Sequence, residues 1–412
     1  MNRRRFLAAL ATGGTAAIAG CGYAHGGGDV RETRSFGGRS TTGGFARAVE
    51  HAVGDDRIVR AVTGETPFSF GEPTEIGVFD RAGDPVWEVA HDAVTAALAT
   101  DRAAETVFLV EDLEEGADLL AFDGPETLGE TDRGDDEGTG SLPEGSLAWR
   151  TSVDGLVERV EEDGRTPPMA GDGRETYLAL SDEVIAVRDG TVAWRRSFDV
   201  DDRIYAIHAG FDAETAGPAA VVVADHAVVA LAADGDVRWR HAAVPSEGES
   251  SSSDDGPPAV EVPPIDAVPA PRVHVRDGDR VLALDPADGT RQWEVTVVDG
   301  EDPTHAVEGI VAVAGRDAGG AVDAANGEVL WTTDRRTASP LVADAERGYS
   351  VTGDAVRAVD ADGIAWRREL DDAGGVVIDG WVEPGRVAFA FDDGRIVTLQ
   401  RYDEEPGVLP SV

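Results

Sequence analysis

Short apolar runs alternate with polar positions at a period of two along most of the chain, and many of them come in pairs around an acidic, glycine-containing turn. In "LDPADGTRQWEVTV", Leu284 to Val297, an apolar pair leads into the turn, and Trp293 follows Gly289 by four residues. The arrangement returns as Gly83 and Trp87, Gly145 and Trp149, Gly190 and Trp194, Gly235 and Trp239, Gly327 and Trp331, and, one residue shorter, Gly363 and Trp366. Seven of the eight tryptophans therefore hold one place in one repeated unit. A small and then a larger apolar residue precede most of the turns: Ala186-Val187, Ala230-Leu231, Ala283-Leu284, Ala321-Val322 and Ala358-Val359.

Asp-Gly or Asn-Gly between alternating runs is the strongest short hairpin signal, because glycine enters positive φ without the clash a side chain meets. Further β-rich runs precede the hairpins: Thr176 to Asp182, Ala219 to His226, Gly309 to Gly315 and Arg347 to Gly353. One more strand per unit makes each a four-stranded sheet, and strong helical periodicity is missing. Tryptophan spacings of 35 to 62 residues point to an all-β propeller of antiparallel blades. Trp87, Trp149, Trp194, Trp239, Trp293, Trp331 and Trp366 then read as structural residues that dock one blade on the next. Gly374 to Tyr402 offers three strand-like runs and no fourth. The ring is expected to close by borrowing an N-terminal strand, placed within Phe45 to Val49, since closure removes open sheet edges. Eight blades result, with seven as the alternative because the first unit is irregular. Trp381 falls off the pattern, as a loop or local core residue.

The unit, apolar-x-Ala-apolar-Asp-x-x-Gly-x-x-x-Trp, resembles the repeat of the pyrroloquinoline-quinone propeller superfamily, over roughly Phe45 to Tyr402. That family includes quinoprotein alcohol dehydrogenases and the non-enzymatic propeller lipoprotein of the bacterial barrel-assembly machinery. The resemblance speaks for fold more than for activity. Its dehydrogenases imply a calcium-bound quinone, a catalytic aspartate and commonly a disulfide of adjacent cysteines. This chain has one cysteine, Cys21, and cannot form that disulfide.

Cys21 belongs to the amino-terminal segment. Arg3, Arg4, Phe6 and Leu7 fit a twin-arginine export signal, and an apolar stretch from Phe6 to Ala19 has the length of a signal-peptide core. It ends in "IAGC", which resembles a lipobox with Cys21 as the lipidated residue. Residues 1–20 are read as a signal peptide, 21–44 as a lipidated, Gly- and Ser-rich tether, and 45–405 as the propeller. The expected location is the cell surface, on the outer leaflet of the cytoplasmic membrane.

Charge narrows the partners. The chain carries 79 acidic and 36 basic residues, a formal net charge of −43, and every basic residue is arginine. Nucleic-acid binding needs the opposite field. The composition resembles that of proteins from salt-loving archaea, where at ~1 M salt the Debye length falls to ~3 Å and self-repulsion is screened. The Asp-x-x-Gly turns lack the alternating ligand run of a calcium loop, so no metal ligands are assigned. The eight histidines form no i,i+4 pair, and neither a nucleophile elbow nor a phosphate loop is present. No catalytic or cofactor-binding residue is assigned. Two inserts stand out, the acidic 125–144 and the Ser-, Asp- and Pro-rich 245–271, which read as solvated loops on opposite faces or as partner-binding segments. The expectation is a non-enzymatic scaffold or binding module for a protein partner. A dehydrogenase using pyrroloquinoline quinone with calcium, and a carbohydrate- or peptide-binding component of a surface complex, are the alternatives. With a net charge of −43, dialysis from molar to millimolar salt is expected to lower the melting temperature measured by circular dichroism; an unchanged value removes the halophile argument.

Overall fold

The computed structural model describes residues 27–36, 48–63, 74–91, 94–101, 103–113, 116–125, 144–153, 167–172, 175–180, 182–198, 204–211, 217–224, 227–242, 259–261, 272–277, 280–297, 304–307, 309–315, 318–338, 341–370 and 375–402. These form eight four-stranded antiparallel sheets. Blade 1 is Ala48–Val53, Arg57–Thr63, Thr74–Asp80 and Pro85–His91; blade 2 is Val94–Thr100, Thr106–Leu113, Gly116–Asp123 and Ser146–Ser152. Blade 3 is Met169–Gly171, Glu175–Leu180, Glu183–Arg188 and Thr191–Ser197; blade 4 is Ile204–Ala209, Ala220–Ala224, Ala227–Leu231 and Val237–Ala242. Blade 5 is Ala259–Glu261, Val273–Asp277, Arg280–Leu284 and Arg291–Thr296; blade 6 is Thr304–Val307, Ile310–Ala314, Gly319–Asp323 and Val329–Thr333. Blade 7 is Leu341–Ala343, Gly348–Thr352, Ala355–Asp360 and Gly363–Glu369. Blade 8 combines Val377–Glu383, Arg386–Phe391 and Arg395–Gln400 with Val30–Ser35 from the other end of the chain.

The core is a ring of layers. Eight buried apolar clusters each join two neighbouring blades, the last joining blade 8 to blade 1. The repeat explains how each layer is built. On the third strand the small residue lies directly opposite the tryptophan, as in Ala186 and Trp194, Ala230 and Trp239, Ala283 and Trp293, Ala321 and Trp331, or Ala358 and Trp366. At the residue opposite the tryptophan the register slips by a bulge in each of the seven blades that carry the repeat tryptophan. A bulge re-aims the side chains beside it, and alanine leaves room for the indole to lie across the sheet. Four indoles thereby reach a ring on the second strand: Phe108 with Trp149, Tyr177 with Trp194, His274 with Trp293, and Tyr349 with Trp366, at centroid distances of 6.2, 6.0, 5.5 and 5.9 Å.

The turns follow from their first aspartate and last glycine. Asp285 Oδ1 accepts the Ala287 N–H, and Asp323 and Asp360 each accept two backbone N–H groups. Such Asx turns hold the chain while glycine takes positive φ, 71° at Gly289 and 74° at Gly327. These carboxylates are occupied by turn geometry.

Closure differs from the expectation in one respect. The borrowed strand is N-terminal and completes blade 8, but it is Val30–Ser35, within the stretch read as tether. Phe45 to Val49 does not close the ring: Ala48 and Val49 begin blade 1 and pair with Thr63 and Val62. Glu32 takes the register place that tryptophan holds in the other blades, opposite Thr398 beside the same bulge. The layer from blade 8 to blade 1 is filled instead by Phe36, Phe79, Ile396 and Trp381. Trp381 is thus a core residue, on the innermost strand of its blade, with Arg81 stacked 4.7 Å from its ring centroid.

A polar clasp seals the other side of blade 8. The Asp344 Oδ2 atom of blade 7 accepts bonds from the Tyr349 hydroxyl at 2.7 Å, the Tyr402 hydroxyl at 2.8 Å, and the Arg401 guanidinium. Burial works against the Asp344 charge, yet these bonds and those from the following backbone hold its carboxyl below the usual range. Arg401 Nη1 also donates to the Glu383 carbonyl.

The 245–271 insert is likewise divided. Ala259–Glu261 within it is the first strand of blade 5, paired with Val273–Asp277. In such a meander, the first-to-second and third-to-fourth strand connections leave one face of the disc, and the crossovers leave the other. The part of this insert before Ala259 is a crossover. The part after Glu261 is attached on the same face as 125–144, which joins the third and fourth strands of blade 2.

Removal of Val30–Ser35 is expected to expose the Arg395–Gln400 edge and cause aggregation, read by light scattering, whereas replacing 246–256 with a few glycines should leave the melting temperature within a few degrees. His274 supplies a pH prediction. It is fully buried, Nε2 lies 3.2 Å from the Ala324 carbonyl, and burial lowers its pKa to about 4. The unfolded chain takes up that proton near pH ~6.5. The stability contributed by the neutral ring is complete above that value and drains away as pH falls toward about 4. His274→Phe, with the aromatic that blade 2 already uses in this row, should remove a pH 7-to-4.5 stability loss on the order of 2–3 kcal/mol in urea titrations.

Candidate functional site

The repeat tryptophans occupy separate interfaces and come together nowhere. Each indole N–H of Trp194, Trp239, Trp293, Trp331 and Trp366 donates to a backbone carbonyl of the next blade, on Ala233, Pro286, Ala324, Asp344 and Arg401 respectively, at 2.9 to 3.2 Å. Gly235, Gly289 and Gly327 admit the preceding blade's indole so closely that a Cβ there would stand 2.7 Å from Trp194, Trp239 and Trp293. Trp87 is fully buried against blade 2, beside Gly124 and Gly145. Trp149 packs among blades 2 and 3. Cys21, Arg3, Arg4, Phe6 and Leu7 lie outside the described residues.

The site with the most chemical character is a cavity of about 730 Å³ between blades 3 and 4, on the face that carries the third-to-fourth strand turns. Blade 3 contributes Asp172, Glu175, Tyr177, Arg188 and Asp189; blade 4 contributes Phe211, Gly217 to Ala219, Ala232, Ala233 and Arg238. Asp172 follows the short first strand and is held by its own turn, where Oδ1 accepts the Glu175 N–H at 2.7 Å. Glu175 opens the second strand opposite Arg188, and the two form an ion pair. Tyr177, buried under Trp194, donates its hydroxyl to Glu175 Oε2 at 2.7 Å and lies 3.4 Å from Asp172 Oδ2. Burial and the Asp172 charge push the phenol pKa up, so it stays protonated and acts as a donor. Arg238 donates to the Gly217 carbonyl. The walls therefore mix three carboxylates, one apolar ring, backbone turns and two arginines. This constellation suits recognition of a polar, charged side chain or small group.

Sequence reading passed over these residues, because in an acidic chain no single aspartate stands out. A signal was present: Asp172 to Tyr177 reads "DGRETY" and Asp344 to Tyr349 reads "DAERGY", the same Asp-to-Tyr spacing at the same strand junction.

Among the described residues no group of three or more His, Cys, Asp or Glu side chains is placed to hold a metal ion, and the repeat indoles are packed between blades.

Residues 224–372, from the end of the second strand of blade 4 through blade 7, match the family described as "Outer membrane protein assembly factor BamB". No curated protein matches the chain. Among solved structures, BamB from Moraxella catarrhalis is 13% identical with a TM-score of 0.54, over 90% of this chain and 97% of that one. A europium-containing methanol dehydrogenase is 12% identical with a TM-score of 0.51, over 90% of this chain and 93% of that one. At such identity these likenesses concern the fold, which a dehydrogenase and an assembly factor share. Its turns, bulges and interblade indoles make the chain an eight-bladed β-propeller, and its 224–372 stretch is similar to the BamB family.

Proposed function

We propose that this protein is a non-enzymatic lipoprotein of a halophile's cell surface, anchored through Cys21 after twin-arginine export, whose propeller recognises a protein partner. The observation that carries this reading is the use made of its aromatic surface: five repeat indoles are hydrogen-bonded to the next blade's backbone and Trp87 is fully buried. Polar turns and loops line the face that carries the cavity between blades 3 and 4. Such faces suit recognition more than unassisted chemistry. The similarity of 224–372 to an assembly factor points the same way.

Two measurements test the parts. Cys21→Ser is expected to move the protein from the membrane to the soluble fraction, or to leave it unprocessed; equal membrane association of mutant and wild type would refute the anchor. Purified protein in molar salt is expected to bind no pyrroloquinoline quinone by calorimetry with calcium present, and to reduce no dye with alcohols or sugars. Stoichiometric quinone binding together with alcohol-dependent dye reduction would replace the scaffold with a dehydrogenase.

A further inference from the structure

Blade 7 departs from its neighbours inside the layer it shares with blade 6. Next to the row that carries the tryptophan, the second and third strands of a blade direct one paired couple of residues toward the preceding blade. In blades 2, 3, 4, 5 and 8 that couple is apolar and buried, as in Leu109 with Leu120, Leu178 with Ile185, or Val275 with Leu282. Blades 1 and 6 place glycine in its third-strand half. In blade 7 the couple is Ser350 with Arg357.

This row faces blade 6. Val359 lies two residues beyond Arg357 and Leu341 lies opposite Ser350, and both are buried with Ala312, Ala314 and Trp331 of blade 6. The fourth strand of blade 6 runs against the third strand of blade 7. Thr333 follows Trp331 by two residues and Arg357 precedes Val359 by two, both toward the crossover face, so strand alternation sets Thr333 and Arg357 in the same layer.

Four donors here have no hydrogen-bond partner among the described residues: Thr333 Oγ1, Ser350 Oγ, Thr352 Oγ1 and Arg357 Nε. Thr333 is 5% exposed and Ser350 1%. Nearby acids are engaged elsewhere, since Arg367, opposite Arg357 on the fourth strand, bonds to Glu369 at 2.8 Å and lies 3.7 Å from Asp354. A guanidinium only donates, and a partly buried charge costs stability unless an opposite charge meets it. A water molecule would accept from two of these groups and leave the charge uncompensated. The alanines on the blade 6 side and the burial of Ser350 and Thr333 suit an ion without substituents.

We infer that the layer between blades 6 and 7 binds a monatomic halide, chloride, held by the Arg357 guanidinium together with the hydroxyls of Ser350 and Thr333. Stability alone would be served by the apolar couple that five other blades use. The ion replaces that couple with a contact whose occupancy follows the chloride concentration, and it is independent of the anchor, the partner and the quinone question.

Bromide stands in for chloride and scatters anomalously. Crystals of the protein soaked in potassium bromide are expected to show an anomalous peak within hydrogen-bond reach of Arg357 and Ser350; density there without anomalous signal would overturn the site. In solution, chloride is exchanged for sulfate at constant ionic strength and the melting temperature is followed by circular dichroism. Ser350→Val with Arg357→Leu restores the apolar couple of the other blades and reports the non-specific effect of the exchange. Relative to that variant, wild type is expected to gain about 2 °C for each tenfold rise in chloride above half-saturation. Ser350→Ala removes one donor and should move the wild-type curve to about tenfold higher chloride. Parallel curves for wild type and the double variant, or a curve unmoved in Ser350→Ala, would overturn the site, and a bromide peak accompanied by parallel curves would mark an adventitious ion only.

Discussion

Six of the eight interfaces in this ring depend on an indole lying across an alanine. The repeat tryptophan reaches over the small residue on the third strand, meets the second strand beneath it, and is covered by the turn of the next blade. A buried indole removes roughly 150–250 Å² from water and leaves one N–H to satisfy. The next blade satisfies it with a turn carbonyl at five interfaces. One side chain thus supplies area, direction and register together. Substituting a larger residue for Ala186, Ala230 or Ala358 would lift the ring off its neighbours as surely as removing the tryptophan, because the site is defined by both partners.

The same geometry organises charge. Arg150, Arg195, Arg240 and Arg367 each follow a repeat tryptophan on an outer strand. Arg150 is paired with Glu111 and Asp118, Arg195 with Glu183, and Arg367 with Glu369. Such exposed pairs contribute little stability individually, but charged side chains along an outer strand discourage pairing with another sheet. A chain so acidic overall has placed cations along the one structural element whose backbone would otherwise invite association. At the closing blade, where the outer strand is borrowed, Arg31 and Arg34 take the same part: Arg31 bonds to Gln400 and Arg34 pairs with Glu32.

The architecture was readable because its determinants are local. An Asp-to-Gly turn and a tryptophan at fixed distance are encoded within a dozen residues; counting them gives seven blades, and the three strand-like runs of Gly374 to Tyr402 with a borrowed strand give the eighth. What escaped the sequence was encoded at a distance or carried no pattern. Val30–Ser35 is exposed at all but its first position, so it has no buried face to alternate with. Ala259–Glu261 is three residues long and sits amid serine, aspartate and proline. Trp381 broke the repeat because its interface lacks the repeat tryptophan and is filled from the inner strand. The cavity between blades 3 and 4 escaped because its carboxylates are a few among 79 acidic residues and only the fold brings them beside blade 4.

Blade 8 joins residues from the two ends of the chain, with Arg31 bonded to Gln400 across 369 positions. That has a kinetic meaning. At about 5–20 residues per second of synthesis, Val30–Ser35 waits about 20–70 s for its partner strand to be made. Blades 1 to 7 have only nearby segments to find and can form in turn, whereas the last blade carries the largest loop closure in the molecule. Before that pairing the molecule is an open arc with one bare sheet edge, and the final strand exchange turns it into a ring. The slowest-forming contact of the protein is therefore set by topology, and it falls where Val30–Ser35 meets Arg395–Gln400.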